Sequence, residues 1–212
     1  GKSPLLVFDD CDLDLAVDLA VEQFDNAGQV CLGAFRILVQ ESIADEFTER
    51  VVAKARTIVQ GDPRDAATDI SALVSRAHFE RVRGFVERAL DDGARAILGG
   101  GPNDDLGGLY FRPTILVDAT PGSEILTEEV FGPVVPLVRF TSIDEAVRMA
   151  NDSPYGLQSA VFTQDINKAL DIAYRLEAGG VIINWSSALR VETLPFGGIK
   201  MSGHGREGVH DT

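Results

Sequence analysis

Apolar residues recur at helical spacing over residues 13–25 (LDLAVDLAVEQFD), behind an acidic start that suits the positive end of a helix dipole. This predicts a helix leading into the turn-like stretch NAGQVC at 26–31. Residues 35–40 (FRILVQ) predict a short strand, and Ser42 is placed as the cap of a second helix running to about Val59, where GDPRD breaks it. A third amphipathic helix is predicted over 75–90, closed by DDG, followed by a strand over 94–98. GGGPNDDLGG lacks the spacing and the following helix of a nucleotide loop, so it is predicted as a hairpin-type connection. Strands follow at 111–117 and 134–140, then a helix at 143–150, a strand at 158–163, a helix at 165–177 and a strand at 180–184. This alternation predicts an α/β layered fold around a mostly parallel sheet. With no internal repeat, low-complexity tract or linker, one domain over 1–212 is expected.

The pattern fails after residue 184. Residues 185–212 carry glycines but no sustained period, and so long a loop in a compact domain is either functional or a solvated tail. Within it, PFGG sets a proline and a glycine pair around Phe196, a composition suited to holding one ring in place.

Composition narrows the partners. The chain is 45% hydrophobic and 25% charged, as in soluble globular proteins, and it carries 33 acidic against 19 basic residues for a net charge of −14. That charge argues against a nucleic-acid partner and against attachment to an anionic membrane surface. No apolar run reaches membrane-spanning length, and the first residues lack the order of a signal peptide. Two cysteines without a CxxC, and three histidines, make neither a disulfide framework nor a zinc site, so a reducing, cytoplasmic setting is expected.

Cys31 is the cysteine with a chemical context. A thiolate nucleophile needs exposure and nearby positive potential such as turn amides, which NAGQ can supply. The competing reading is a small buried apolar side chain. Cys11, wrapped by aspartates in DDCDLD, is disfavoured as a thiolate. No base stands near Cys31 in sequence, since the histidines are His78, His204 and His210.

Three segments in order, NAGQVC, EEVFGPV at 128–134 and PFGGIKMSGHGREG at 195–208, resemble signatures of the aldehyde dehydrogenase superfamily, and the opening GKSPLLVFDDCDLDLAV resembles the stretch that follows that family's ELGG motif. The resemblance covers essentially the whole chain and implies the family's three-layer catalytic domain, a mostly parallel sheet flanked by helices. It implies that Cys31 is the nucleophile that attacks an aldehyde, with NAD or NADP as hydride acceptor. Glu129 matches the glutamate that binds the nicotinamide ribose, Phe131 the aromatic beside the nicotinamide, and Phe196 a residue of the substrate tunnel. Asn184, ending the VIIN stretch, is a weaker match whose alternative role is to satisfy backbone groups. Arg190, six residues before Phe196, resembles a subgroup acting on lactaldehyde and anionic semialdehydes; an ion pair with Glu192 or another acidic residue is the alternative.

The resemblance also sets expectations about what the chain lacks. Family members are more than twice as long, and no GxGxxG dinucleotide loop is present. The general-base glutamate, the oxyanion asparagine and the final assembly strand are expected outside these residues, so the chain by itself is expected to be inactive as a dehydrogenase. The parent enzyme is expected to take a small aldehyde and to be a homodimer or homotetramer. A CoA-acylating member, or a non-catalytic binding or assembly domain of the same fold, stays open.

Overall fold

A computed structural model describes residues 1–209 of the chain. Its elements in chain order are β1 (Pro4–Val7), α1 (Leu13–Val21), β2 (Arg36–Gln40), α2 (Ala44–Ala55), α3 (Arg76–Asp91), β3 (Arg95–Leu98), β4 (Thr114–Val117), α4 (Glu124–Thr127), β5 (Val134–Phe140), α5 (Ile143–Asn151), β6 (Tyr155–Gly156), β7 (Gln158–Phe162), α6 (Ile166–Arg175), β8 (Gly180–Ile183) and β9 (Ile199–Lys200). Seven strands form one sheet in the order β3-β4-β5-β2-β1-β7-β8. Every pairing is parallel except β3 with β4, which the hairpin-type connection GGGPNDDLGG joins as expected.

The alternation of side chains along the strands separates two cores. Leu5, Val7, Ile37, Val39, Leu137 and Phe162 face one side, where they bury against Phe24, Phe47 and Val51 from the α1 and α2 region. Leu6, Phe8, Leu38, Phe140 and Val161 face the other, against α5 and α6 through Ala146, Val147 and Ile172. This is the expected three-layer arrangement. A third cluster packs α3, through Phe79, Val82, Phe85 and Val86, on Leu116, Ile125, Val130 and Val134, and it carries the site.

Local chemistry explains where the sequence expectations hold. Ser75, Ser142 and Asp165 cap α3, α5 and α6 through their side chains, and each helix starts within one residue of its expected position. Ser42 does not cap α2. A short 3-10 turn over Glu41–Ile43 leads into the helix, whose cap residue Ile43 makes no side-chain bond. The helix ends at Ala55 instead of reaching Val59, and the Thr57 hydroxyl donates to the Lys54 carbonyl at its end. The strand expected over 111–117 begins only at Thr114, because Phe111 is occupied in an isolated bridge with Pro102. Strand β1 has no counterpart among the expected elements. Its four residues are all buried and show no alternation to read.

The 185–212 segment is not a free tail within its described part. β9 pairs with β6, and Phe196 exchanges backbone hydrogen bonds with Glu207 at 2.8 and 2.7 Å. His210 lies outside the described residues.

Candidate active site

The turn that carries Cys31 is shaped by three consecutive residues in the left-handed region, Asn26 (φ 51°), Ala27 (φ 54°) and Gly28 (φ 69°). For Asn and Gly this conformation is accessible, and for alanine it is costly, so tertiary contacts must hold it. They do so from inside the turn. The Asn26 amide donates to the Gln29 carbonyl at 3.1 Å, and the Gln29 side chain returns a bond to the Asn26 carbonyl at 3.0 Å. On one flank the Val74 N–H donates to Gln29 Oε1 at 3.0 Å. On the other, buried Gln23 accepts from Ala34 N–H, and the Ser187 hydroxyl donates to the Leu32 carbonyl at 2.7 Å. Cys31 stands exposed at the apex as a free thiol.

Cys11 has the opposite surroundings. It is half-buried, and its thiol is pushed up to about 11, first by burial and then by the charge of Asp10. Burial therefore leads the effect that the aspartates alone predict from sequence.

The loop after α4 approaches the cysteine turn backbone to backbone. A Cβ on Gly28 would overlap the Gly132 carbonyl, so the turn admits only glycine there. Gly1 packs against the cysteine turn as well: a Cβ on it would lie 3.0 Å from the Cys31 carbonyl oxygen. Glu129 and Phe131 are both half-buried, and Phe131 is itself left-handed at φ 58°. A carboxylate able to accept hydroxyl hydrogen bonds and an aromatic ring, both half-buried, fit the nicotinamide-ribose end of a dinucleotide. The donor set for the remainder of the cofactor is not found among the described residues.

Arg190 and Phe196 meet each other. The guanidinium stacks over the Phe196 ring at 4.7 Å and pairs with Glu207 at 3.1 Å, and both residues line a cavity of about 200 Å³ with Leu189, Val191 and Leu194. Of the alternatives open in the sequence, the ion pair is the one formed, and Glu207 is its partner. Cys31 is not among the residues lining that cavity. Asn184 satisfies backbone groups: its side chain accepts from Thr163 N–H at 3.0 Å and donates to the Thr163 carbonyl at 2.9 Å. His78 sits against Phe131, not against the cysteine turn, and His204 is exposed. No group of residues suited to hold a metal ion is found among the described residues.

A family model described as "Aldehyde dehydrogenase family" matches residues 1–212. The chain belongs to the aldehyde dehydrogenase family. It is 46% identical over 210 residues to a lactaldehyde dehydrogenase of Methanocaldococcus jannaschii, covering 99% of this chain and 44% of that protein. It is 45% identical to a betaine aldehyde dehydrogenase of Rhizobium johnstonii, covering 98% of this chain and 43% of the relative. The chain thus spans less than half the length of these curated relatives. Among solved structures, betaine aldehyde dehydrogenase from Staphylococcus aureus in complex with NAD+ superposes with a TM-score of 0.95 at 40% identity, covering 100% of this chain and 42% of that one. An NADP dependent enzyme of E. coli superposes equally well, at 38% identity and 44% coverage of its chain.

Sequence reasoning missed the residues that support the site. Gln29, His78, Arg81 and Ser187 act through backbone carbonyls and amides of segments far away in the chain, and no local pattern announces such contacts.

Proposed function

We propose that residues 1–212 are the catalytic domain of an NAD(P)-dependent aldehyde dehydrogenase with Cys31 as its nucleophile. The observation that carries this reading is an exposed thiol on a strained turn stacked against the loop that bears Glu129 and Phe131. The Cys31 thiolate adds to the aldehyde carbon to form a thiohemiacetal, with the Cys31 backbone N–H as one donor to the developing oxyanion. NAD or NADP, when bound, supplies the acceptor for the hydride leaving that carbon. The resulting thioester is released by water as the carboxylic acid, which restores the thiol. Glu129 would hold the ribose hydroxyls of that cofactor, and Phe131 would limit movement of its nicotinamide ring. The rest of the dinucleotide site, the general base and a second oxyanion donor belong to the portion that the relatives carry beyond this span.

For substrate, the reading is a short hydroxylated or anionic aldehyde. The likeness to a lactaldehyde dehydrogenase supports it. Exposed apolar side chains at Trp185, Leu189, Leu194 and Met201 support assembly into a homo-oligomer, and two free cysteines support a reducing, cytoplasmic setting. No helix among the described residues is long and apolar enough to cross a membrane.

The test is substitution in the full-length enzyme. Cys31→Ser should abolish aldehyde oxidation while Cys11→Ala leaves it nearly intact. A Cys31→Ser enzyme that keeps most of its turnover removes the covalent mechanism.

A further inference from the structure

The geometry points to His78 and Arg81 as positioning residues that fix the backbone of the loop carrying Glu129 and Phe131, so that α3 holds the cofactor side of the site and the cysteine turn as one unit. This rests on the proposed reading of Glu129 and Phe131 as contacts to a nicotinamide cofactor.

His78, Arg81, Val82 and Phe85 stand at spacings of three, four and seven, so they share one face of α3. That face meets four consecutive loop residues. Arg81 donates to the Glu129 carbonyl at 2.7 Å and to the Val130 carbonyl at 2.8 Å. His78 Nε2 lies 2.6 Å from the Phe131 carbonyl oxygen, and because a carbonyl can only accept, the hydrogen is on Nε2. Val82 closes on Gly132, where a Cβ would come within 2.7 Å of Val82 Cγ2. The clamp is itself braced. The Ser75 hydroxyl caps the helix at the His78 N–H at 3.2 Å, and the Arg81 guanidinium stacks on the Phe85 ring at 4.7 Å.

The loop needs such holding. Phe131 is a bulky residue with φ at 58°, a conformation that disfavours itself unless surrounding contacts determine it. Its ring meets the His78 ring edge-on with centroids 6.0 Å apart. Release of the carbonyl would let the Phe131 backbone relax toward negative φ and swing the ring from its place. The same helix also reaches the cysteine turn, since Val74, just before the Ser75 cap, donates to Gln29, and Gly28 lies on the Gly132 peptide.

The experiment uses the full-length enzyme with His78→Ala, His78→Gln and Arg81→Met. Amide hydrogen exchange of the 128–134 loop in cofactor-free protein is read beside KM for NAD+, kcat and thermal midpoint. Gln places an N–H donor at a reach similar to that of His Nε2, so it serves as the conservative rescue. His78→Ala and Arg81→Met should each speed exchange in the loop and raise KM for NAD+ by about tenfold, with a smaller change in kcat. His78→Gln should restore both toward wild type. Loop exchange unchanged in His78→Ala and Arg81→Met overturns the proposal, as does a His78→Gln enzyme no better than His78→Ala. Faster loop exchange without any change in KM for NAD+ overturns the cofactor reading of Glu129 and Phe131 and leaves the clamp standing.

Discussion

Gly28 lies directly on the carbonyl of Gly132, close enough that a single added methyl group would occupy the same space. The cysteine turn and the loop bearing Glu129 and Phe131 are therefore in backbone contact, and neither can shift without the other.

Gly28→Ala should accordingly damage both fold and site. Its φ of 69° is left-handed, and the added Cβ meets rigid backbone instead of a side chain that can move. A loss of about 2 kcal/mol or more is expected in chemical denaturation, beyond the usual cost of placing alanine in that conformation. Gly107→Ala provides the control, since its φ of 66° is similar and nothing lies within 4 Å of its Cβ position. Equal losses at the two positions would show that the contact between loops adds nothing.

Lys2 is 2% exposed, and its ammonium nitrogen has no hydrogen-bond partner. Burial, and then the neighbouring Arg36 guanidinium, hold its pKa well below the ordinary lysine value. Arg36 directs its own donors to the carbonyls of Lys2, Met149 and Ala150, at 3.1, 2.9 and 2.7 Å, so it offers the amine nothing. Between the lowered folded-state pKa and the ordinary lysine range, the unfolded chain binds a proton that the folded chain does not. Stability should therefore rise with pH through that window. Lys2→Met, close in volume and apolar, should stabilise the protein at neutral pH by about 1–3 kcal/mol and flatten that rise. Thermal melts of both proteins across the alkaline range check the sign; a destabilised Lys2→Met with an unchanged pH slope would mean that the amine is satisfied.

The two thiols should separate cleanly by reactivity. With Cys11 half-buried and pushed up to about 11, alkylation at pH 8 should label Cys31 alone, and Cys11 should react only after denaturation or near its own pKa. Peptide mass mapping after a short exposure to iodoacetamide reads the result. Labelling of Cys11 at a rate matching Cys31 would contradict the surroundings described for it.

Arg190→Leu tests the substrate reading. If the guanidinium contacts substrate while paired with Glu207, kcat/KM for succinic semialdehyde and a phosphorylated aldehyde should fall by about tenfold or more, with hexanal unaffected. An equal effect on all substrates would make Arg190 a brace for Phe196 and Glu207.

Much of this was legible in the chain because the signals are local. Amphipathic helices such as α5 and α6 announce themselves through their apolar stripes. Cys31, Glu129 and Phe131 stand in short motifs, so family likeness reaches them. Strand β1 stayed hidden because a fully buried four-residue run has no period. The left-handed Ala27 stayed hidden because its conformation is imposed by packing, against the residue's own preference. His78 stayed hidden because its partner is 53 residues away and is a carbonyl, which leaves no mark in side-chain sequence.

The central claim is that Cys31 carries the acyl group. The most direct measurement is rapid acid quench of the full-length enzyme during turnover with aldehyde and NAD+, followed by intact and peptide mass spectrometry. The account predicts a mass increase equal to the acyl group, located on the peptide containing Cys31, absent without NAD+ and absent in Cys31→Ser. Steady turnover with no acyl adduct on that peptide at any quench time, together with oxidation that survives in Cys31→Ser, would contradict it.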